Sequence, residues 1–390
     1  MRLSSLVGSA AALLLAAGPL LAAGGATRLA VTNGLDRLRA GETVEVPAAS
    51  LPGLPAAELA KVAKVAVVDE ATGKALLSQA VDSDGDGTAD LLVFQADFAP
   101  GQTRRFVLKP GERAPCRRED FRVYGRFARE RYDDFAWEND KVAHRMYGPA
   151  LETWQQEPLT SSTVDVWCKR TARLVVNDWY MVDDYHRDTG EGADFYSAGR
   201  SRGAGGSGVW KDGRLFVARN FRQSRVVSAG PIRLVFELTY EAWEAGGAKV
   251  SEVKRVTLDA GSRFNRFESF YTVEGGGSVA HAAGLKKAAG AALRVEKAAG
   301  TIRSWEPVKG DNGSLGLALV VDPASLADVV EADGNVLAVG RPSALRPAVH
   351  WAGSAWDRSG EVRNVEEWDR AVAAFVERVR SPLKVEVTAP

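Results

Sequence analysis

Apolar and polar residues alternate at period two along much of this chain. The clearest runs are Arg225–Trp243, Lys249–Leu258, Arg263–Val273 and Leu315–Val321, punctuated by Gly, Asp, Asn and Pro. Such runs predict many antiparallel strands, each with one face toward a core. Helical periodicity is scarce. The best case is Val365–Arg380, where Trp368, Val372, Phe375 and Val379 form one apolar stripe. Asn364 is a suitable cap, Glu367 a capping-box partner, and Ser381-Pro382 a stop. The pattern therefore predicts an all-β protein with a few helices, and the size favours a large sandwich over a propeller, since no blade-length repeat appears.

The start of the chain departs from this pattern. Arg2 precedes an apolar stretch from Leu6 to Ala23 that ends in small residues. This reads as a cleaved secretory leader over residues 1–23, with no transmembrane anchor left after cleavage and a periplasmic or extracellular product. Residues 26–112 read as a small β-sandwich-like domain of short strands and turn-rich joints. "KPGERAPC" serves as a linker, and residues 117–390 form the large domain that carries the site. Lys plus Arg and Asp plus Glu both number 50, a balance that argues against a nucleic-acid partner. Cys116 and Cys168 are the two cysteines; in an oxidising compartment they either pair or stay buried thiols.

Candidate chemistry begins with "DFAWENDKVAHRMYGPA", Asp134 to Ala150. As one extended strand, it places Trp137, Asn139, Lys141, Ala143, Arg145 and Tyr147 on one face. Glu138, Asp140, Val142, His144 and Met146 fall on the other, and Val142 and Met146 mark that side as core. His144 is then a buried or edge histidine. Arg145 offers a fork for a carboxylate, and Trp137 and Tyr147 offer rings for a sugar face; a solvated outer face is the alternative. In "STVDVWCKRTARLVV", Asp165, Trp167 and Lys169 share a face that lines a groove or simply faces water.

The second stretch, Asp183 to Trp210, is long, Gly-rich and dense in titratable groups: His186, Asp188, Glu191, Asp194 and Tyr196. A loop this long in a compact domain is functional or disordered, and its aromatics argue against disorder. Histidine titrates nearest neutrality, which makes His186 the leading acid–base candidate, with Asp188 or Asp194 to orient it. "GAGGSG" within it lacks the strand–turn–helix setting of a nucleotide loop. His281 and His350 read as structural histidines. A third stretch, "DSDGDGTAD", alternates Asp82, Asp84 and Asp86, then has Gly87 and Asp90. It fits the first half of a calcium loop, but Val93 stands where a full EF-hand has its bidentate acid. Calcium is the cofactor expected here, with an acid-rich hairpin loop as the alternative.

"WENDKVAHRMYGPAL", "YHRDTGEGADFYSAGRSRGAGGSGVW", "DSDGDGTADLLVFQADFAPGQ" and "HWAGSAWDRSG" resemble the secreted bacterial family called domain of unknown function 4861. The resemblance spans nearly the whole mature chain. It implies a galactose-mutarotase-like β-supersandwich whose concave face holds sugar, and an association with polysaccharide degradation. It also points to Trp137, Asn139, Arg145, Tyr147, His186, Asp188, Glu191, Asp194 and Tyr196.

The leading expectation is an exported carbohydrate-active enzyme, a carbon–oxygen lyase or oligosaccharide dehydratase, acting on uronate-containing oligosaccharides or polysaccharides such as pectin. Catalysis falls to His186, Tyr147 and Arg145. Substrate binding falls to Trp137, Asn139, Asp188, Glu191, Asp194, Tyr196 and Trp210. A glycoside hydrolase using two of Glu138, Asp188, Glu191 and Asp194 is the first alternative. A non-catalytic sugar-binding protein is the second.

Overall fold

The computed structural model describes residues 27–388 apart from 52–63, 110, 112, 114, 156–157, 161, 183 and 345–346. The leader at 1–23 and parts of the linker lie outside the described residues. No helix among them is long and apolar enough to cross a membrane.

The architecture is all-β. In the amino-terminal unit, a five-stranded sheet faces a three-stranded one. The first runs in the order Lys384–Thr388, Thr27–Thr32, Thr103–Lys109, Ala66–Asp69, Ala75–Leu76; the second is Arg39–Pro47, Leu91–Phe98, Ser78–Val81. Leu29, Val31, Val44, Val46, Phe94, Phe98 and Phe106 fill the space between them. The last strand of the chain thus closes the first sheet, with Leu29 opposite Val387. Lys384–Thr388 belongs physically to the amino-terminal sandwich, because its alternating pattern supplies the partner that Thr27–Thr32 would otherwise lack on that edge.

The large unit is built on an eight-stranded antiparallel sheet in the order Gln223–Ala229, Arg233–Ala245, Ala248–Asp259, Phe264–Val273, Ala348–Trp356, Ser314–Val320, Thr301–Pro307, Ala292–Glu296. Two five-stranded sheets face it. One contains Asp134–Asn139, Ala143–Met146 and Asp165–Lys169; the other contains Ala204–Lys211, Ala280–Lys286 and Asn335–Gly340. All three contribute to one core, including Phe135, Trp137, Phe236, Val256, Leu285 and Leu317. The large β-sandwich expected from the pattern is present.

Alternation carries charge inward in one strand. Val250, Glu252, Lys254, Val256 and Leu258 all point to the buried face. Lys254 donates to the Ser162 hydroxyl at 2.9 Å and lies 3.5 Å from Glu252. The same region holds a chain of rings. Tyr271 and His281 Nδ1 are 2.9 Å apart, His281 Nε2 and His350 Nδ1 3.1 Å, and His350 Nε2 and the Gly205 carbonyl 2.9 Å. A carbonyl only accepts, so His350 carries its proton on Nε2. His281 then donates to His350 from its own Nε2, and Tyr271 donates to His281. Both histidines are neutral, buried struts between two sheets.

The helix Val365–Arg380 forms as the pattern indicates. The Asn364 side chain accepts the Glu367 N–H at 2.8 Å. The Glu367 carboxylate reaches the Arg363 N–H instead of the cap's own. Trp368, Val372 and Val376 are its buried stripe. Trp368 enters the space left by Gly316, where an added Cβ would lie 2.8 Å from the indole, and its N–H meets the Leu317 carbonyl at 3.2 Å. Trp368→Ala is expected to lower unfolding free energy by about 3–5 kcal/mol, measured as a shifted urea midpoint with unchanged slope.

Candidate functional site

The opening stretch is a tight hairpin. Asp134–Asn139 pairs with Ala143–Met146, with His144 opposite Trp137 and Arg145 opposite Ala136. Asn139 makes the turn: its Oδ1 accepts from the N–H groups of Lys141 and Val142, at 2.8 and 2.9 Å, and its amide donates to the Asp259 and Ser262 carbonyls. The turn reverses parity. Trp137 joins His144 on the core side, stacked at 5.3 Å, with its indole donating to Asn265. Trp137 and Asn139 are therefore core and turn residues, not ligand contacts. His144 is buried, and burial holds its imidazole down to about 3, as its place beside Val142 and Met146 suggests. The outward side carries Asp134, Ala136, Glu138, Ala143 and Arg145.

Arg145 is the hub of that side. Its Nε donates to Asp165 Oδ2 at 2.9 Å, its Nη2 lies 3.2 Å from Asp194 Oδ2, and its Nη1 lies 3.5 Å from Asp134 Oδ2. Nη1 also donates to the Tyr185 hydroxyl at 2.7 Å. Tyr147 is buried, donates to Asp165 at 3.0 Å, and has its phenol pushed well above the usual range, chiefly by burial. It is a brace for Asp165, closed to solvent. Burial raises Asp134 to about 7 against the pull of Arg145.

A short helix, Val176–Tyr180, roofs the neighbouring part of this face. Glu138 holds its start, accepting from the N–H groups of Val175 and Val176 at 2.8 and 2.7 Å, while Lys169 donates to Glu138 at 2.8 Å. Trp167 stacks on Trp179 at 5.4 Å below the helix. Of the face Asp165–Trp167–Lys169 read from sequence, Asp165 serves the hub and the other two carry the roof.

The loop beyond the helix brings His186 to the rim. Its side chain is 57% exposed, its ring leans on Tyr185 at 4.4 Å, and its Nδ1 lies 2.7 Å from the Asp194 carbonyl. That carbonyl requires Nδ1 to carry the proton, so in the neutral ring the lone pair of Nε2 points away from the loop. Asp194 thus orients His186 through its carbonyl and Arg145 through its carboxylate. Asp188 accepts from Gly190 and Gly192 and pairs with Arg170, whose guanidinium lies 5.1 Å from the Trp356 ring. Glu191 is clamped by both arms of Arg173. These two acids shape the loop. Tyr196 is buried beneath Lys286, and Trp210 packs on Ala282, Leu337 and Val339 of its own sheet, which is not the sheet of the hairpin. The structure brings together Arg145, Tyr147, Asp194 and His186; it does not bring Trp137, Asn139, Tyr196 or Trp210 to them.

Four residues of the site escaped the sequence reading: Asp134, Asp165 as a hub partner, Tyr185 and Arg131. Arg131 lies over the Tyr185 ring at 4.7 Å and donates to the Tyr180 and Val182 carbonyls. Its Nε and Nη2 both reach the Tyr180 carbonyl, at 3.0 and 2.6 Å. The Asn-Asp turn signal at 139–140 was the available clue to Asp134, since it implies a reversal of parity.

Asp82, Asp84 and Asp86 do converge, with ligand atoms within 4.8 Å of one another. Asp90 does not join them, because its carboxylate accepts from the Ser83 N–H at 2.6 Å and from its hydroxyl. Asp82 also accepts from the N–H groups of Gly85 and Gly87, and Arg225 holds the carbonyl of Asp84. Cys116 and Cys168 are free thiols. A hollow of about 920 Å³ lies elsewhere, beyond the hairpin tip among Lys141, Arg233, Phe264, Trp351 and Glu361. Lys141 and Arg263 pair with Glu361, and Arg233 pairs with Asp259 and Glu45. It is a seam between units whose bridging charges neutralise one another.

Residues 31–385 match the family model described as Domain of unknown function (DUF4861), and the chain belongs to that family. A curated relative, "Uncharacterized protein P7" of Formosa agariphila, is 33% identical over 385 residues, covering 92% of this chain and 93% of the relative. Among solved structures, the chain is similar to an alpha-mannosidase from Enterococcus faecalis, at 13% identity and a TM-score of 0.49 over 93% of this chain and 46% of that one. A glycosyl hydrolase family 38 protein of the same organism gives 12% and 0.49, over 93% and 47%. The chain spans about half the length of these two structures.

Two predictions follow from these burial patterns. Glu138→Ala leaves Lys169 and two amides buried without their carboxylate; it is expected to cost about 3–5 kcal/mol and to reduce the near-ultraviolet circular dichroism of the Trp167–Trp179 stack. The second concerns acid. His144 and His350 are held to about 3 and His281 well below 6.5, all chiefly by burial. Below about pH 6.5 the unfolded chain therefore gains three protons that the fold refuses. Asp134 and Glu306, both raised to about 7 by burial, oppose this, since the fold binds their protons before the unfolded chain does. The balance is one proton, so unfolding free energy should fall by about 1.4 kcal/mol per pH unit from about pH 6 to 5. Urea titrations across that range that stay flat would contradict the assignment.

Proposed function

We propose that this protein is an exported carbohydrate-active enzyme that acts on uronate-containing oligosaccharides by β-elimination. The observation that carries the reading is the exposed His186 imidazole, held through Nδ1 by Asp194 with Nε2 turned outward, beside the Tyr185 phenol. Elimination needs a base for the proton next to the uronate carboxylate, an acid for the leaving oxygen, and a cation facing the carboxylate.

His186 Nε2 takes the C5 proton. The C–H electron pair forms the C4–C5 double bond, the C4–O bond breaks, and Tyr185 delivers its proton to the departing oxygen. The Tyr185 phenol is protonated at neutral pH, burial raising it further, and its ring lies against His186, which gives it the place for the acid role that Tyr147 cannot fill from its closed position. Solvent then returns the proton from imidazolium to phenolate. Arg145 is committed to its carboxylates and acts by holding Tyr185 and Asp194 in place. Arg131, over Tyr185, is the guanidinium better disposed to meet a uronate. The carboxylates named for a hydrolytic pair each have a cation partner: Glu138 has Lys169, Asp188 has Arg170, Glu191 has Arg173 and Asp194 has Arg145.

The test is ultraviolet absorbance of the unsaturated uronate formed from pectic and ulvan-type oligosaccharides. His186→Ala and Tyr185→Phe are each expected to slow turnover by about 10²–10⁴-fold, while Tyr147→Phe keeps most of it. Product shifts by mass without new absorbance would sink elimination in favour of hydrolysis.

A further inference from the structure

Next to the Arg145 hub, the chain turns a corner with no glycine at its bend. Tyr132 and Asp133 both take left-handed backbone, with φ of 56° and 64°. Consecutive non-glycine residues rarely do this, and such geometry persists only where surroundings enforce it. Gly148 is the enforcing neighbour: a Cβ there would lie 1.8 Å from the Asp133 carbonyl oxygen, and its N–H donates to Asp134 Oδ1 at 3.1 Å. The corner sends Tyr132 outward, 38% exposed, onto Trp154, with ring centroids 4.7 Å apart at 31°.

Trp154 is equally fixed. It packs on Tyr147, Leu151 and Leu159. The segments on both sides of it are clasped by Asn220, whose amide donates to the Gly148 and Leu159 carbonyls at 2.9 Å each. Glu152 in turn accepts from the Asn220 N–H at 3.0 Å and from Arg222 at 3.2 Å. Two aromatic rings are thus held rigid at the surface. They adjoin the hub on both sides, since Asp134 follows the corner directly and Tyr147 lies under Trp154.

We infer that Tyr132 and Trp154 form a subsite that stacks a sugar ring of the oligosaccharide, next to the residue acted on at His186. This rests on the proposed carbohydrate reading. Aromatic rings suit the C–H face of a pyranose. The pair by itself is too small for a protein-docking face. A platform ordered before binding spends little entropy on capture.

The test is binding, by calorimetry, of oligogalacturonides from dimer to hexamer and of a matching neutral ladder. Wild type, Trp154→Ala, Trp154→Phe and Tyr132→Ala are compared, with melting curves to confirm folding. Wild-type affinity is expected to rise with length. Trp154→Ala should lose about tenfold on the longer chains and little on the dimer, and Trp154→Phe should recover most of it. Unchanged affinity in both alanine variants, or an equal loss at every length without rescue by Phe, overturns the subsite and leaves the proposed function standing. Failure of folded wild type to bind either ladder overturns both.

Discussion

Arg145 brings one positive charge into a nearly closed corner and meets three aspartates there. A buried guanidinium without partners would be prohibitively costly, and so would three buried carboxylates without a cation. The two problems solve each other, though with one negative charge more than the site can comfortably carry. Asp134 absorbs that excess by holding its proton up to about 7. The partners come from separate parts of the chain: Asp134 and Arg145 from the hairpin, Asp165 from the next strand, Asp194 from the loop. Their mutual need fixes the loop against the sheet, and the loop carries His186.

A second buried pair performs the same task for the roof. Glu138 and Lys169 are both closed to solvent, and Glu138 spends its remaining lone pairs on the first amides of Val176–Tyr180. A helix of five residues has little stability of its own. It persists here because a distant carboxylate satisfies its start and because Trp179 and Tyr180 rest on Trp167. The arrangement shields the hub on one side and leaves the rim at Tyr185, His186 and Arg131 open. For the proposed elimination, such rigid support beneath the exposed His186 and the half-buried Tyr185 is what keeps the geometry of the rim intact in contact with solvent.

Where sequence reasoning misplaced residues, the causes are specific. Trp137 and Asn139 were set beside Arg145 on the assumption of one continuous strand. Two residues of turn at Asp140 and Lys141 reverse the parity, so Trp137 fell to the core and Glu138 to the opposite side. Tyr147 lies past the second strand, where alternation no longer governs direction. Trp210 is an aromatic of the kind that contacts ligands but sits partly buried against neighbours of its own sheet. Glu252 and Lys254 contradict the pattern outright, since charge was taken as a mark of the outer face while the ladder register holds both inside. His144, by contrast, was legible, because Val142 and Met146 flank it at the same parity on the same short strand.

The sequence by itself determined the β class, the capped helix at Val365–Arg380, the burial of His144, and the concentration of titratable groups around His186. Those properties depend on spacing over a few residues, where side-chain direction follows directly from backbone periodicity. Only the tertiary structure decided that Arg145 is shared among Asp134, Asp165 and Asp194, that Tyr185 stands beside His186, and that Lys384–Thr388 completes the first sheet. Those outcomes depend on turns that reset parity and on charges that meet across long sequence separations. Attraction between charges is strong only at contact and out of water, so the pairs exist only once the sheets have brought them together.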